Sequence, residues 1–281
     1  MADPGGFNRL KTCRHGELLF NVNDSHIGRS LDLYGEWAES ELELLGLFVK
    51  PGDTVIDVGA NLGTHTVFFA RRAGPDGCVF AFEPQRIVFQ TLCANLALNG
   101  LLNVHAFQAA VSRRPGTIVV PQIAYAQAGN YGGLSLAGGV DGAGAGAVKG
   151  GERVPALTLD SLALERCRLL KIDVEGMESD VLEGGRALIA ACRPVVYLEN
   201  NDAARSPALI TWLLAFDYHL FWHVSRFFSP RNFFGNQENV FGNLGDLNMI
   251  AVSAELAPAF ARFPRVTGPD DNWDALQERL R

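Results

Sequence analysis

From Thr54 onward, short apolar runs alternate with segments whose apolar residues recur at helical spacing. The runs at 54–57, 78–83, 104–109, 169–174 and 195–199 are nearly continuous in apolar character. Parallel strands covered by helices on both faces have that signature. Segments 64–73, 86–99 and 178–191 read as helices between them, the third weakened by Gly184-Gly185. Upstream, 16–24 reads as a strand running into a turn, able to form a hairpin with the segment before it. Residues 38–49 predict a helix with Leu42, Leu45 and Val49 on one face, stopped by Pro51-Gly52. After Glu199 the order becomes helix (207–216), strand (218–224), a long Asn-rich connection (229–246) and strand (247–252). No helical pattern separates those two strands, so they are expected to pair antiparallel. Pro269-Asp270-Asp271-Asn272 precedes a capped terminal helix over 273–280.

The predicted fold is α/β, a doubly wound and mostly parallel seven-stranded sheet whose last strand is antiparallel. Residues 1–50 form an extension packed on the core, 51–253 the core itself and 254–281 a tail. An inserted hairpin occupies about 117–154, with a Gly-rich loop expected to be mobile near 142–151.

Composition narrows the partners. The net charge is −7, and basic residues cluster only as pairs such as Arg71-Arg72 and Arg113-Arg114. Binding to nucleic-acid phosphates needs denser cations, so no such partner is expected. Five cysteines without a C-x-x-C pair argue against a disulfide framework or zinc site. The longest apolar stretch, 212–224, is broken by Asp217, His219 and His223, too short to span a bilayer. The N-terminus lacks the apolar core of a signal peptide, so a cytoplasmic location is expected. The oligomeric state is open, a homodimer included.

Candidate chemistry gathers at Asp57-Val58-Gly59-Ala60-Asn61-Leu62-Gly63, between an apolar run and a helix start. Such a loop brings backbone close to a ligand and aims free N–H groups at it. A dinucleotide loop, G-x-G-x-x-G, would have glycine where Asn61 stands, and a pyrophosphate would be crowded there. Asp57 would repel a pyrophosphate but suits a cationic amino group. Glu83, ending the next run, can accept from two ribose hydroxyls. An amino-acid tail and a ribose held by two carboxylates point to S-adenosylmethionine.

The loop with Glu83-Pro84 resembles class I S-adenosylmethionine-dependent methyltransferases. More narrowly, the chain resembles the FkbM family within them. The likeness is carried by Ile27-Gly28-Arg29-Ser30-Leu31-Asp32-Leu33-Tyr34-Gly35-Glu36-Trp37, the loop, Thr158-Leu159-Asp160-Ser161-Leu162 and Leu170-Lys171-Ile172-Asp173-Val174-Glu175-Gly176. Asn239-Val240-Phe241-Gly242 with Asn248-Met249 adds to it. The resemblance implies a Rossmann-like fold and methyl transfer, usually to oxygen, in making polyketides, glycolipids or surface polysaccharides. The product would be S-adenosylhomocysteine, the acceptor a small molecule or a glycosidic hydroxyl.

In such sheets ligands bind at the carboxyl ends of the strands. On that rule Asp57 holds the cofactor's amino-acid part, while Gly59, Asn61 and Gly63 shape the loop. The helix start at Thr64 meets the carboxylate, Glu83 takes the ribose and Ala110 touches the adenine. Asp173 is the expected base, with Glu175 orienting it or binding substrate; a structural pair of Asp173 with Lys171 is the alternative. His65 is a second base candidate. Glu199, Asn200, Asn232 and Asn239 are candidate acceptor contacts, although asparagines also favour turns. Tyr34, Glu36 and Trp37 are placed to fold over the pocket. Asp160 reads as a helix N-cap. Asp173, Glu175, Glu199 and Asn200 are oxygen donors suited to magnesium, but the expected site has no metal. A nicotinamide-dependent oxidoreductase, a binding module without turnover and an N-methyltransferase remain as rivals.

Overall fold

The computed structural model describes residues 6–136 and 151–280. The Gly-rich stretch 142–151, expected to be mobile, lies outside the described residues but for Gly151. The chain opens as an antiparallel hairpin of β1 (Asn8–Cys13) and β2 (Gly16–Asn21), followed by α1 (Ile27–Tyr34) and α2 (Glu39–Leu45). The core then runs β3 (Thr54–Val58), α3 (Thr64–Ala73), β4 (Cys78–Phe82), α4 (Arg86–Leu98) and β5 (Val104–Phe107). Next come β6 (Ala110–Val111), β7 (Gly116–Val120), β8 (Glu152–Leu157) and β9 (Leu169–Ile172). It closes with α5 (Glu178–Gly184), α6 (Arg186–Cys192), β10 (Val195–Glu199), α7 (Ser206–Leu214), β11 (His219–Arg226), β12 (Gly245–Val252) and α8 (Trp273–Leu280).

Seven strands form the main sheet in the order β11-β12-β10-β9-β3-β4-β5. All are parallel except β12, which pairs antiparallel with both β10 and β11. This is the predicted doubly wound sheet. Its two faces follow strand alternation. Ile56, Leu170, Val196 and Met249 pack under α5, α6 and α7, while Val55, Leu169, Val195 and Ile250 pack with residues of α2 and α3. The predicted insertion is a small side sheet, with β8 antiparallel to β7 and parallel to β6.

Three elements differ from the periodicity. The helix expected over 38–49 spans only α2, and the two-turn helix α1 precedes it, too short to show its own period. A left-handed Gly35 at φ 70° ends α1. The helix expected over 178–191 breaks into α5 and α6 at Gly185, where an added Cβ would lie 2.9 Å from Leu159 Cδ1. The new helix start is capped across the chain, since Asp160 accepts from the N–H groups of Ala187 and Leu188 at 3.1 and 2.8 Å. Asp160 is thus a cap, but of α6; Thr158 caps the 3₁₀ turn Leu159–Leu162 that contains it.

The N-terminal hairpin is fixed to the core by Asn95 of α4 and by Asn99, the cap at that helix's end. Buried Asn95 accepts from Leu19 N–H (2.6 Å) and donates to the carbonyls of Leu19 (3.0 Å) and Leu62 (2.8 Å). Asn99 makes the same double bond to Glu17. One side chain thereby ties β2 to the glycine loop.

Candidate active site

The glycine loop crosses the carboxyl ends of β3 and β4. Gly59 and Ala60 both donate to Phe82 O, at 3.0 and 2.9 Å. Gly59 has φ 78°, and a Cβ there would fall 1.7 Å from Asp173 O. Only glycine permits that approach between β3 and the end of β9. Asn61 also adopts a left-handed φ, 51°, and its Oδ1 accepts from Leu62 N–H at 2.7 Å. Asparagine tolerates this region, so the loop turns without the middle glycine of a dinucleotide fingerprint. Gly63 caps α3, whose first ladder bond is Val67 N–H to Gly63 O; the N–H groups of Thr64, His65 and Thr66 lie ahead of it at the loop.

Two joined cavities open beside the loop. The first has a largely apolar wall of Val58, Phe82, Ala109, Ala110, Val111, Leu134, Leu136 and Met177. The second is lined by Asn61, Thr64, His65, Asp173, Glu175, Glu199 and Asn248, with Trp37 and Phe227 as an aromatic wall. Gly59, Glu83, Gln85, Gly132, Asp173 and Glu175 line both. Glu83 is buried at the junction, its Oε2 accepting from Asn61 N–H (3.0 Å) and its Oε1 from Gln85 N–H (2.8 Å). Burial pushes its carboxyl up to about 7, against the pull of those two N–H groups.

Asp57 corrects the expectation of a direct cofactor contact. It lines neither cavity and is fully buried beneath the loop, in register with Lys171 on β9. Its Oδ2 accepts from Thr66 Oγ1 at 2.6 Å and its Oδ1 lies 3.3 Å from Lys171 Nζ. The cation it faces belongs to this chain. Lys171, 3% exposed, also donates to Gly59 O at 3.3 Å and pairs with Asp173 Oδ2 at 3.4 Å. Burial alone would lower the lysine, but Asp57, Asp173 and Glu41 hold it above its ordinary value.

Asp173 is the most open member, with 46% of its side chain exposed at the cavity mouth. Among the described residues, Asp173, Glu175 and Glu199 each bring a carboxylate oxygen within 4.8 Å of the others. Such crowding favours shared protons or a cation. Burial, then Asp173, raises Glu175 to about 7 and Glu199 to about 10, and burial with Glu41 and Asp173 raises Asp246 to about 8. Carboxyls raised in the folded state bind more protons folded than unfolded, so stability falls as pH climbs from about 5 towards 10. The protein is expected to melt at a higher temperature at pH 6 than at pH 9, and Glu199→Gln to flatten that slope. Scanning calorimetry at both pH values checks it, and equal melting temperatures would contradict it.

His65 reaches the second cavity, but its Nε2 is held by Glu41 Oε2 at 3.2 Å, and Asn248 Nδ2 donates to Glu41 Oε1 at 3.1 Å. Burial works against Glu41's charge, yet the His65 contact leaves its carboxyl below the usual range. Ala110 lines the apolar cavity from the start of β6, and Trp37, unlike Tyr34 and Glu36, reaches the polar one. Asn200 lines a neighbouring cavity behind Glu199, its Nδ2 donating to Ser206 Oγ.

Asn232 and Asn239, expected to contact the acceptor, line neither cavity. Asn232 donates to Ser229 O and Asn236 O, and Asn239 to Gly242 O, so both brace turns of their own loop. The loop's ends do reach the site, through Phe227, Asp246 and Asn248. Sequence reasoning passed over Glu41, Gln85 and Asp246. Glu41 left one signal, a carboxylate next to apolar Leu42 and three residues before Leu44 on a helix.

The sequence profile of the methyltransferase FkbM domain matches residues 57–220. Methyltransferase sdnD of Sordaria araneosa is 33% identical over 46% of this chain and 59% of its own length. The chain thus spans less than two thirds of that relative. Among solved structures, methyltransferase FkbM from Methylobacillus flagellatus KT has a TM-score of 0.46 and 16% identity, over 75% of this chain and 50% of that one. A SAM dependent methyltransferase from Aquifex aeolicus has a TM-score of 0.42 and 13% identity, over 82% and 94%.

Proposed function

The chain belongs to the FkbM methyltransferase family, and from that premise we propose that it methylates a hydroxyl of a small hydrophilic acceptor, such as a natural product, sugar or glycolipid, using S-adenosylmethionine. The observation that carries this reading is the pair of joined cavities, one apolar and one polar, with Glu83 at their junction. Each Glu83 oxygen accepts one backbone N–H and keeps lone-pair capacity for a ribose hydroxyl. The apolar wall at Ala109–Ala110 suits an adenine, and the start of α3 a carboxylate. The backbone approach at Gly59 leaves the loop pressed against β9, so a ligand over the loop lies beside Asp173.

When bound, S-adenosylmethionine supplies a methyl group on a sulfonium. The chain's own work is to align the acceptor oxygen with it, exclude water and take the hydroxyl proton. Asp173 is the proposed acceptor of that proton, a reading supported by Lys171 holding its Oδ2 while the side chain stays open to the polar cavity. Glu199 and Asn248 offer contacts to a hydroxyl-rich acceptor, and Trp37 with Phe227 offers a face for a sugar ring. His65, its Nε2 held by Glu41, positions rather than deprotonates.

Titration calorimetry separates this reading from its main rival. S-adenosylhomocysteine is expected to bind saturably at one site per chain, and NAD not at all. Saturable NAD binding without S-adenosylhomocysteine binding would overturn the proposal. Transfer of radiolabelled methyl to a base-stable ether, in a screen of glycosidic acceptors, is expected to identify oxygen as the target; label found only on amines would replace it with N-methylation.

A further inference from the structure

The described residues that follow β7 do more than extend the small sheet. Leaving β7, residues 121–136 fold back over the candidate site. Gly132, Leu134 and Leu136 form one wall of the apolar cavity, and Asn130 and Gly132 reach the polar one. On its outer side this arm is tied to the N-terminal turn, where Asn21 and Asn23 both donate to Tyr125 O and Ser25 N–H donates to Gly129 O. On its inner side Ser135 Oγ donates to Glu175 O at 2.6 Å, and the centre of the arm is gripped by Gln85, which is buried and lines both cavities. Gln85 Nε2 donates to Tyr131 O at 2.8 Å, and its Oε1 accepts from Tyr125 OH at 3.0 Å. The carbonyl of Tyr131 can only accept, which fixes the amide's orientation. Through its backbone N–H, Gln85 also holds Glu83 Oε1 at 2.8 Å.

We propose that Gln85 is a cofactor-positioning residue, clasping the inserted arm against the adenosine cavity while aligning Glu83 for the ribose. The inference rests on the S-adenosylmethionine reading above. It makes residues 121–136 part of the cofactor site, with Gln85 as the link between its wall and its floor. A buried glutamine with two partners satisfied only by the arm holds that arm in one arrangement, since releasing it would leave polar groups unpaired.

Two substitutions test this by titration calorimetry with S-adenosylhomocysteine and by melting of the unliganded protein. Gln85→Leu removes both side-chain bonds at similar volume, and its Kd is expected to weaken roughly tenfold. Tyr125→Phe removes one hydroxyl, keeps the ring, and is expected to weaken Kd several-fold. The double variant is expected to bind about as well as Gln85→Leu alone, because both changes open the same clasp. A purely structural role would lower the unliganded melting temperature and leave Kd alone; Kd within twofold of the unsubstituted protein in both variants would overturn the proposal. Failure of the unsubstituted protein to bind S-adenosylhomocysteine would overturn the cofactor reading itself, and the clasp with it.

Discussion

Asp173→Asn is expected to lower methyl transfer to a hydroxyl by roughly 10²–10⁴-fold, the usual scale of general-base catalysis. The substitution keeps the shape of the side chain and its reach to Lys171 Nζ, 3.4 Å away, but removes the proton acceptor. Because Asp173 is nearly half exposed and buried Lys171 keeps Asp57 as its second partner, the folded protein is expected to lose little stability. The affinity for S-adenosylhomocysteine should also hold within a few-fold, since the ribose and adenine walls are built from Glu83, Ala109 and Ala110. The signature is therefore a loss in kcat with Kd nearly unchanged. A near-normal rate would remove Asp173 as the base and favour a nitrogen acceptor, which needs none. A parallel His65→Gln variant separates the second candidate: with its Nε2 occupied by Glu41, His65 is expected to matter less than Asp173.

Strand and helix identity was legible because the inner strands β3, β9, β10 and β12 are buried on both faces and the longer helices show their period. α3 was read at its observed bounds, and β12 was placed antiparallel from the missing helix before it. What stayed hidden was short or non-local. Two-turn α1 has too few residues to repeat a pattern, and the break at Gly185 is set by Leu159 and Asp160, which lie far back in the chain.

The same division runs through the site. Asp57 and Glu83 look alike in sequence, each an acid at the end of an apolar run. Their different surroundings follow from register: β9 lies beside β3 and places Lys171 opposite Asp57, whereas β4 has β5 on its other side and Ala106 opposite Ala81. Glu83, just past its strand, meets only backbone N–H groups and faces open space. No local pattern carries that distinction. The asparagines of 229–246 failed for the opposite reason, since a turn-forming asparagine and a ligand-reading one have the same local sequence.

Lys171 has the largest expected effect on stability. Its side chain is 3% exposed, with the ammonium 3.3 Å from fully buried Asp57, 3.3 Å from Gly59 O and 3.4 Å from Asp173. Lys171→Met keeps the chain's length while deleting the charge, leaving Asp57 with the Thr66 hydroxyl as its remaining partner. Breaking a buried pair from one side costs about 3–5 kcal/mol, a large share of the 5–15 kcal/mol typical of folded domains. Urea unfolding at neutral pH should show that loss as a lower midpoint with a similar slope. The raised lysine also fixes the sign of the pH effect: its contribution is complete below the ordinary lysine value and fades only as pH rises through the higher folded one. In the unsubstituted protein the pair therefore holds across the whole neutral range. Lys171→Met with Asp57→Asn is expected to recover much of the stability, because no buried charge is then left alone and the amide oxygen can still accept from Thr66. Activity should stay low in the repaired protein, since Gly59 O and Asp173 would still lack the ammonium that joins the cofactor loop to the base. Recovery of both stability and rate would reduce Lys171 to a structural ion pair; recovery of stability alone would make it the residue that sets the loop and the base in one frame.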